Sequence, residues 1–258
     1  MVATKGARRG CLLVGVWLLA VTTPGWAQDI GYTIGTSLVR GTDAAVPMDS
    51  AYVFNGVDLS IGPVRVSASV PFIRQRAVAV EPPIVQPVAT GDATGEPVSG
   101  FGDPLIRMDV RVFDAHDHQL QVSAAGSVKP PIVNPADGLG TGVADYAVGG
   151  AVLGFTQGTS VMIDVLYWKY GDPVGVDFTD SFSYGLGIGR VIGHSGWSAL
   201  VSLSGFSSGA AGAPPPLQLS IGALTLTGRG QSLAITAGIG LNSGSGDFSV
   251  GASWRIQG

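Results

Sequence analysis

The sequence predicts an all-β fold: one closed, antiparallel, up-and-down transmembrane β-barrel of about twelve strands, with ten or fourteen as neighbouring counts. Three observations predict it. Only 12% of the 258 residues are charged, while mean hydropathy is +0.37 and 40 residues are Gly. That is about half the charge of an ordinary soluble domain, too little to cover a soluble surface. Apolar and small polar residues alternate with period two in successive segments, the signature of strands with two different faces. The connections between those segments alternate short and long.

Residues 1–27 read as an export signal ahead of the barrel at 28–258. Lys5, Arg8 and Arg9 form a basic start, Cys11 opens an apolar run that ends at Thr23, and Pro24-Gly25-Trp26-Ala27 suits cleavage after Ala27. The run falls short of the roughly 20 residues of a spanning helix, so an uncleaved anchor is the weaker alternative. Cleavage removes three positive charges and no negative ones, taking the net charge from -4 to -7. It also removes the only cysteine, leaving no disulfide or thiolate chemistry. A negative chain has no electrostatic footprint for nucleic acid.

The twelve segments are 29–40, 51–61, 64–74, 103–113, 119–129, 144–155, 160–170, 181–192, 197–206, 217–227, 231–241 and 247–257. Each is about the length of a tilted strand crossing a bilayer. In the fourth, Ile106, Met108, Val110 and Val112 oppose Arg107, Asp109 and Arg111. In the fifth, Leu120, Val122, Ala124 and Val128 oppose Gln119, Gln121, Ser123, Ser127 and Lys129. The stretch from Val191 to Gly228 carries no Asp, Glu, Lys or Arg, but Ser207-Ser208-Gly209 and Pro214-Pro215-Pro216 interrupt it, which a helix would not survive. Within it Trp197, Ala199, Val201 and Leu203 oppose Ser198, Ser202 and Ser204. Leu233, Ile235, Ala237 and Ile239 form the apolar row of the eleventh segment. The last segment alternates most cleanly, with Phe248, Val250, Ala252, Trp254 and Ile256 on one face. A soluble sandwich also alternates, but places long charged side chains on its second face. Here that face is mostly Ser, Gly, Thr and Ala, as suits a crowded, hydrated interior.

Tight turns at 62–63, 114–118, 157–159, 193–196 and 228–230 alternate with longer connections at 41–50, 75–102, 130–143, 171–180, 207–216 and 242–246. That is the pattern of short periplasmic turns and longer external loops, with both termini periplasmic. Trp197 and Trp254 fall near the periplasmic ends of the lipid-facing rows, and Tyr32, Phe72, Phe182 and Tyr184 suit interfacial girdles.

Gly102-Asp103-Pro104-Leu105, Gly126-Ser127-Val128-Lys129-Pro130-Pro131, Asp137-Gly138-Leu139-Gly140-Thr141-Gly142, Asp145-Tyr146 and the Gly240–Phe248 segment occur in that order. Together they resemble the outer-membrane barrels of the MetA-pathway of phenol degradation family, with the likeness running from Phe101 onward. The resemblance implies a transporter-like barrel that passes or binds small, often aromatic, compounds. Ser249, Gly251, Trp254 and Ile256 are similar to the carboxyl-terminal signal read by barrel-assembly machinery, although the chain ends Ile256-Gln257-Gly258 rather than on Phe or Trp.

With the apolar rows facing lipid, Asp58, Arg65, Arg107, Asp109 and Arg111 point inward on neighbouring strands, and Lys129 follows on the next. They read either as a constriction that selects solutes by charge or as an internal salt-bridge network stiffening a narrow barrel. Met162, Asp164, Leu166, Trp168 and Tyr170 form a second inward row. There Asp164, Trp168 and Tyr170 belong to the lumen mouth, where the rings stack a solute or pack against a loop. The 75–102 loop either folds inward as a gate or stays external. Acidic external loops (Asp43, Asp49, Glu81, Asp92, Glu96, Asp137, Asp172, Asp177, Asp180) suit lipopolysaccharide bridged by divalent cations. Asp114-Ala115-His116-Asp117-His118 mimics metal ligands on a tight turn, but lacks ligands converging from elsewhere. Gly138-Leu139-Gly140-Thr141-Gly142 lacks the lysine and helix of a phosphate loop. His116, His118 and His194 all fall in periplasmic turns, so no Ser–His pair forms at the external lipid-facing rim and no enzyme activity, cofactor or metal is expected.

The expectation is therefore an outer-membrane channel for small solutes, hydrophobic or aromatic ones among them, through a narrow lumen. Its partners are lipid, lipopolysaccharide, the assembly machinery and the solute. The alternatives are a structural or ligand-binding barrel with a plugged lumen and, more remotely, a barrel hydrolase.

Overall fold

The computed structural model describes residues 28–41, 48–75, 97–115, 117, 119–173, 178–193, 196–207, 215–228, 230–242 and 244–258. The expected signal at 1–27 lies outside them. Thirteen strand segments run β1 Gln28–Gly41, β2 Met48–Ile61, β3 Val64–Gln75, β4 Val98–Phe101, β5 Leu105–Asp114, β6 Leu120–Lys129, β7 Asp145–Thr156, β8 Thr159–Lys169, β9 Ser181–Ile192, β10 Trp197–Phe206, β11 Leu217–Gly228, β12 Gln231–Gly240 and β13 Phe248–Gln257. Chain neighbours pair antiparallel, except that β4 and β5 both pair with β3, and β1 also pairs with β13 over Gly31↔Gln257 to Arg40↔Phe248, which closes the sheet. Closure removes the unpaired edges that hydrocarbon cannot solvate.

The barrel has twelve staves, because β4 and β5 together make one. β3 pairs with β4 over Phe72–Gln75 and with β5 over Val64–Ser69. Gly102-Asp103-Pro104 interrupts the stave, and the Gly102 amide donates to the Pro71 carbonyl at 2.9 Å across the gap. The fourth strand was expected at 103–113, so the end of the 75–102 loop is strand instead. Residues 76–96 of that loop, and with them its role as a gate, lie outside the described residues.

The two faces separate as the alternation requires. On β1, Ile30, Tyr32, Ile34 and Leu38 are exposed on the outer surface, while Gly31, Gly35 and Val39 are buried inside. β8 and β13 behave alike, with Val161, Ile163, Val165 and Tyr167 outward on one and Phe248, Val250, Trp254 and Ile256 on the other. Extra residues disturb the alternation twice. A bulge between Arg111 and Phe113 turns Phe113 outward beside Val112, and another lies between Leu226 and Gly228. Both bulges sit at the end of the barrel with short turns, where pairing stops.

The short turns are built for tight reversal. Thr156 pairs with Thr159 across Gln157 (φ 46°) and Gly158 (φ 77°). Positive φ at both central positions matches the right-handed twist of the flanking strands. Both ends of the barrel chain lie at this turn end, where the Gly258 amide donates to the Ile30 carbonyl at 3.0 Å. At the opposite, loop end the outer surface carries Phe72, Phe101, Tyr146, Tyr167, Phe182, Tyr184 and Phe248. Phe72 meets Phe101 edge-on at 5.4 Å, and Tyr167 meets Phe182 at 5.1 Å. At the turn end Tyr32, Phe113, Trp197 and Trp254 are exposed outward. Two aromatic belts thus flank an aliphatic band.

Candidate functional site

The candidate site is the lumen. Its loop end is narrowed by apolar clusters on opposite walls. Residues 130–144, between β6 and β7, fold into the mouth and reach β1–β3. There Leu139, 6% exposed, packs with Val39, Tyr52 and Ile73, with Val133 beside them. The buried Gln75 side chain donates to the Gly138 carbonyl at 3.1 Å and fixes the tip of this loop. A three-residue 3-10 turn, Pro135–Asp137, shapes its middle. On the facing wall Leu166, Trp168 and Phe206 are buried with Ala125 and Ala147, and Leu105 and Tyr170 pack against them.

An ion triad pins the base of the loop. Lys129 reaches Asp145 at 2.8 Å and Asp103 at 3.6 Å, with side-chain exposures of only 7%, 5% and 2%. Its ammonium also donates to the Thr141 hydroxyl at 2.9 Å. Asp103 accepts the backbone amides of Ile132 (2.8 Å) and Val133 (2.9 Å), and Asp145 accepts that of Gly171 (3.0 Å). Buried carboxylates persist when a cation and hydrogen bonds replace their water. The motifs around Asp103, Lys129, Thr141 and Asp145 are thus one local structure. Their sequence separation reflects four strand ends meeting at the rim.

Below the folded-in loop lies a cavity of about 350 Å³ that reaches Val39 and Tyr52. Ser37, Ser202, Ser204, Ser220, Thr236, Gln218 and Ser249 line one side, and Phe54, Met162 and Asp164 also face it. The hydroxyl wall has little charge, whereas β3, β5, β6 and β13 carry the inward cations of the described residues.

The expected charged cluster divides into separate groups. Asp58 faces Arg65 at 3.3 Å and Arg255 at 2.8 Å near the turn end. Arg255 carries this contact across β1, and a Cβ at Gly31 would overlap the pair. Arg107 pairs with Asp109 at 2.7 Å on its own strand. Arg111 joins neither group, because near the β5 bulge it pairs with Asp114 at 3.3 Å. Lys129, expected in the same constriction, lies in the triad at the rim. Asp164, expected at the mouth, sits halfway along β8, opposite Gly185 in register.

Trp168 and Tyr170 are near the mouth as expected, but their rings are engaged with each other, stacked at 6.2 Å and 8°. Trp168 is 4% exposed and its indole N–H donates to the Ser183 hydroxyl at 3.0 Å. Trp168 packs among Leu166, Phe206, Ala125 and Ala147 of the barrel wall and Phe178 meets Tyr170 at 6.3 Å, while any contact with residues 76–96 lies outside the described residues. In the proposed assembly signal, Trp254 and Ile256 face outward, with Ser249 and Gly251 on the inward row. His116, His118 and His194 lie outside the described residues. Among the described residues no group of three or more His, Cys, Asp and Glu side chains converges as a metal site.

The alternation of the last strand puts Arg255 on the face opposite Trp254 and Ile256, but does not link it to Asp58. Only the β1–β13 closure joins them. An inward Arg on the last strand and an inward Asp on the second, flanking a Gly on the first, was the available signal.

Comparison with protein-family models gives no match, and neither does comparison with curated proteins. Solved structures do match. The COG4313 outer membrane channel from Pseudomonas putida F1 superposes with a TM-score of 0.66 at 14% identity, over 92% of this chain and 97% of that one. The translocator domain of autotransporter NalP from Neisseria meningitidis gives 0.51 at 11% identity, over 90% and 88%. At such identities the likeness is one of fold. The chain is a closed twelve-stranded antiparallel barrel of the architecture found in outer-membrane proteins.

Proposed function

We propose that this chain is an outer-membrane channel for small solutes. The observation that carries the reading is the division of surfaces. An aliphatic band between aromatic belts covers the outside, and a cavity lined by hydroxyl groups occupies the inside. The first suits hydrocarbon and the second suits water and a passing solute. The similarity in fold to a protein described as an outer membrane channel supports it, as does the sequence resemblance to the phenol-degradation family. In this reading the turn end and both termini are periplasmic, residues 1–27 are removed on export, and the assembly machinery reads β13. Lipid and lipopolysaccharide surround the band, and aromatic compounds are the first solutes to try.

A second reading is a ligand-binding or structural barrel with a plugged lumen. The inward fold of residues 130–144 and the packed Trp168–Tyr170 pair favour it. Single-channel recording in planar bilayers separates the two. Stepwise ohmic currents support the channel. A folded, heat-modifiable barrel that stays silent refutes an open pore and supports the plugged reading.

A further inference from the structure

Among the described residues the lumen's arginines and its lysine are all engaged, whereas one carboxylate facing the lumen cavity is not. The Arg107 Nε donates to both Asp109 oxygens, at 3.0 and 2.9 Å, and its Nη2 donates to one of them at 2.7 Å. Arg111 is taken by Asp114, Arg65 and Arg255 share Asp58, and Lys129 lies between Asp103 and Asp145. Asp164 differs. Among the described residues no hydrogen bond or ion pair reaches it, and it lines the cavity beside Met162, Ser202 and Ser204. Arg107 lies within electrostatic reach, but that guanidinium already holds Asp109. The local group of one guanidinium and two carboxylates keeps a net charge of -1.

The carboxylate is held over the β9 backbone, where a Cβ at Gly185 would fall on it. Hydroxyl oxygens of Ser202, Ser204 and Ser220 line the same space, and such oxygens replace part of a cation's hydration. Among the described residues that line the cavity none is a cation, so an anion there would meet the uncompensated carboxylate, while the surplus positive charge of the Asp58–Arg65–Arg255 group lies near the turn end.

We infer that Asp164 is the specificity-determining residue of the lumen, and that it favours small monovalent cations, protonated amines among them, over anions. The inference rests on the channel reading. It moves selectivity from the cluster of Asp58, Arg65, Arg107, Asp109, Arg111 and Lys129, for which a selective constriction was one of two expectations, to the carboxylate near the Arg107–Asp109 pair.

Reversal potentials across a KCl gradient test it. The protein should pass potassium in preference to chloride, and Asp164→Asn should lower that preference several-fold, whereas Arg107→Ala should leave its sign unchanged. Anion preference, or no change with Asp164→Asn, would overturn the inference and leave the channel reading standing. If the bilayer is silent the channel reading fails, and a thiol reporter then tests Asp164 without conduction. Cys11 is the only cysteine, so a C11S chain carrying Ser202→Cys offers one thiol in the cavity. A cationic methanethiosulfonate should react several-fold faster than an anionic one of similar size, and Asp164→Asn should erase the difference. Equal rates with Asp164 present, or no reaction with either reagent, would overturn the inference. Heat-modifiable migration verifies folding of each variant.

Discussion

Replacing Lys129 with methionine removes the cation from between Asp103 and Asp145 while keeping a long side chain. Their side chains are 2% and 5% exposed, so neither carboxylate gains much water when the cation leaves. Stranding the partner of a buried ion pair costs roughly 3–5 kcal/mol. The barrel can avoid most of that by releasing residues 130–144, since the loop holds Thr141 and the two amides bound to Asp103. The cost should therefore appear as local opening rather than barrel unfolding. The amides of Ile132 and Val133 report it directly, because both donate to Asp103. At about 1.4 kcal/mol per tenfold, their hydrogen exchange should accelerate by about two to three orders of magnitude. Mid-strand amides of β8 should exchange as before. Combining Lys129→Met with Asp103→Asn and Asp145→Asn should restore much of the protection, since a neutral group is cheaper to bury than a stranded charge. Unchanged exchange at Ile132 and Val133 in the single variant would refute the triad as the anchor of the loop.

Other consequences are equally direct. Leu139→Ala removes the apolar anchor at the loop tip, with a local cost of at most about 2–5 kcal/mol; single-channel current or uptake by proteoliposomes should rise. Trp168→Phe gives up the hydrogen bond to Ser183 for about 1 kcal/mol, while Trp168→Ala should cost about 3–5 kcal/mol; urea unfolding in lipid vesicles should rank them in that order. Asp180, in the loop before β9, accepts the Tyr167 hydroxyl at 2.8 Å and the Tyr170 amide at 3.1 Å. The Tyr167 hydrogen bond, with help from the Tyr170 amide and Lys169 and against some burial, holds its carboxyl below the ordinary carboxylate range. A depressed carboxylate contributes stability above its unfolded value and loses it as pH falls through its folded value. Exchange at the Tyr170 amide should therefore quicken only in strong acid, and Asp180→Asn should remove that pH response.

The staves and their faces were legible because lipid and lumen impose opposite demands on successive residues. Twelve staves follow from that pattern, and four of the five short turns sit where Gly or Pro announces them, the exception being 114–118. The split stave was not legible, because Gly102-Asp103-Pro104 has the composition of a loop although its flanks pair with β3. The inward direction of Asp58, Arg107 and Asp164 could be read from parity. Which charges meet could not, since pairing depends on tilt and on the β1–β13 seam. Leu139 left a faint trace as the single aliphatic residue of the Gly138–Gly142 stretch, where no lipid-facing row explains it. The burial of Trp168 depends on Phe206 from a distant strand, and nothing in its own segment discloses that neighbour.

The buried triad also has a meaning for assembly. Successive residues of a strand face opposite ways, so a one-residue slip of β6 against its neighbours would turn Lys129 out toward the lipid interface beside the aromatic belt. A lysine near the midplane of a barrel's lipid face costs about 2–4 kcal/mol, and less toward the interface. The same slip would leave Asp103 and Asp145 without their cation. Mispaired intermediates are thus penalised at several positions at once, and only the native alignment satisfies them together. The charges that pin the loop at the mouth of the finished barrel also act as proofreaders of its registration while it forms.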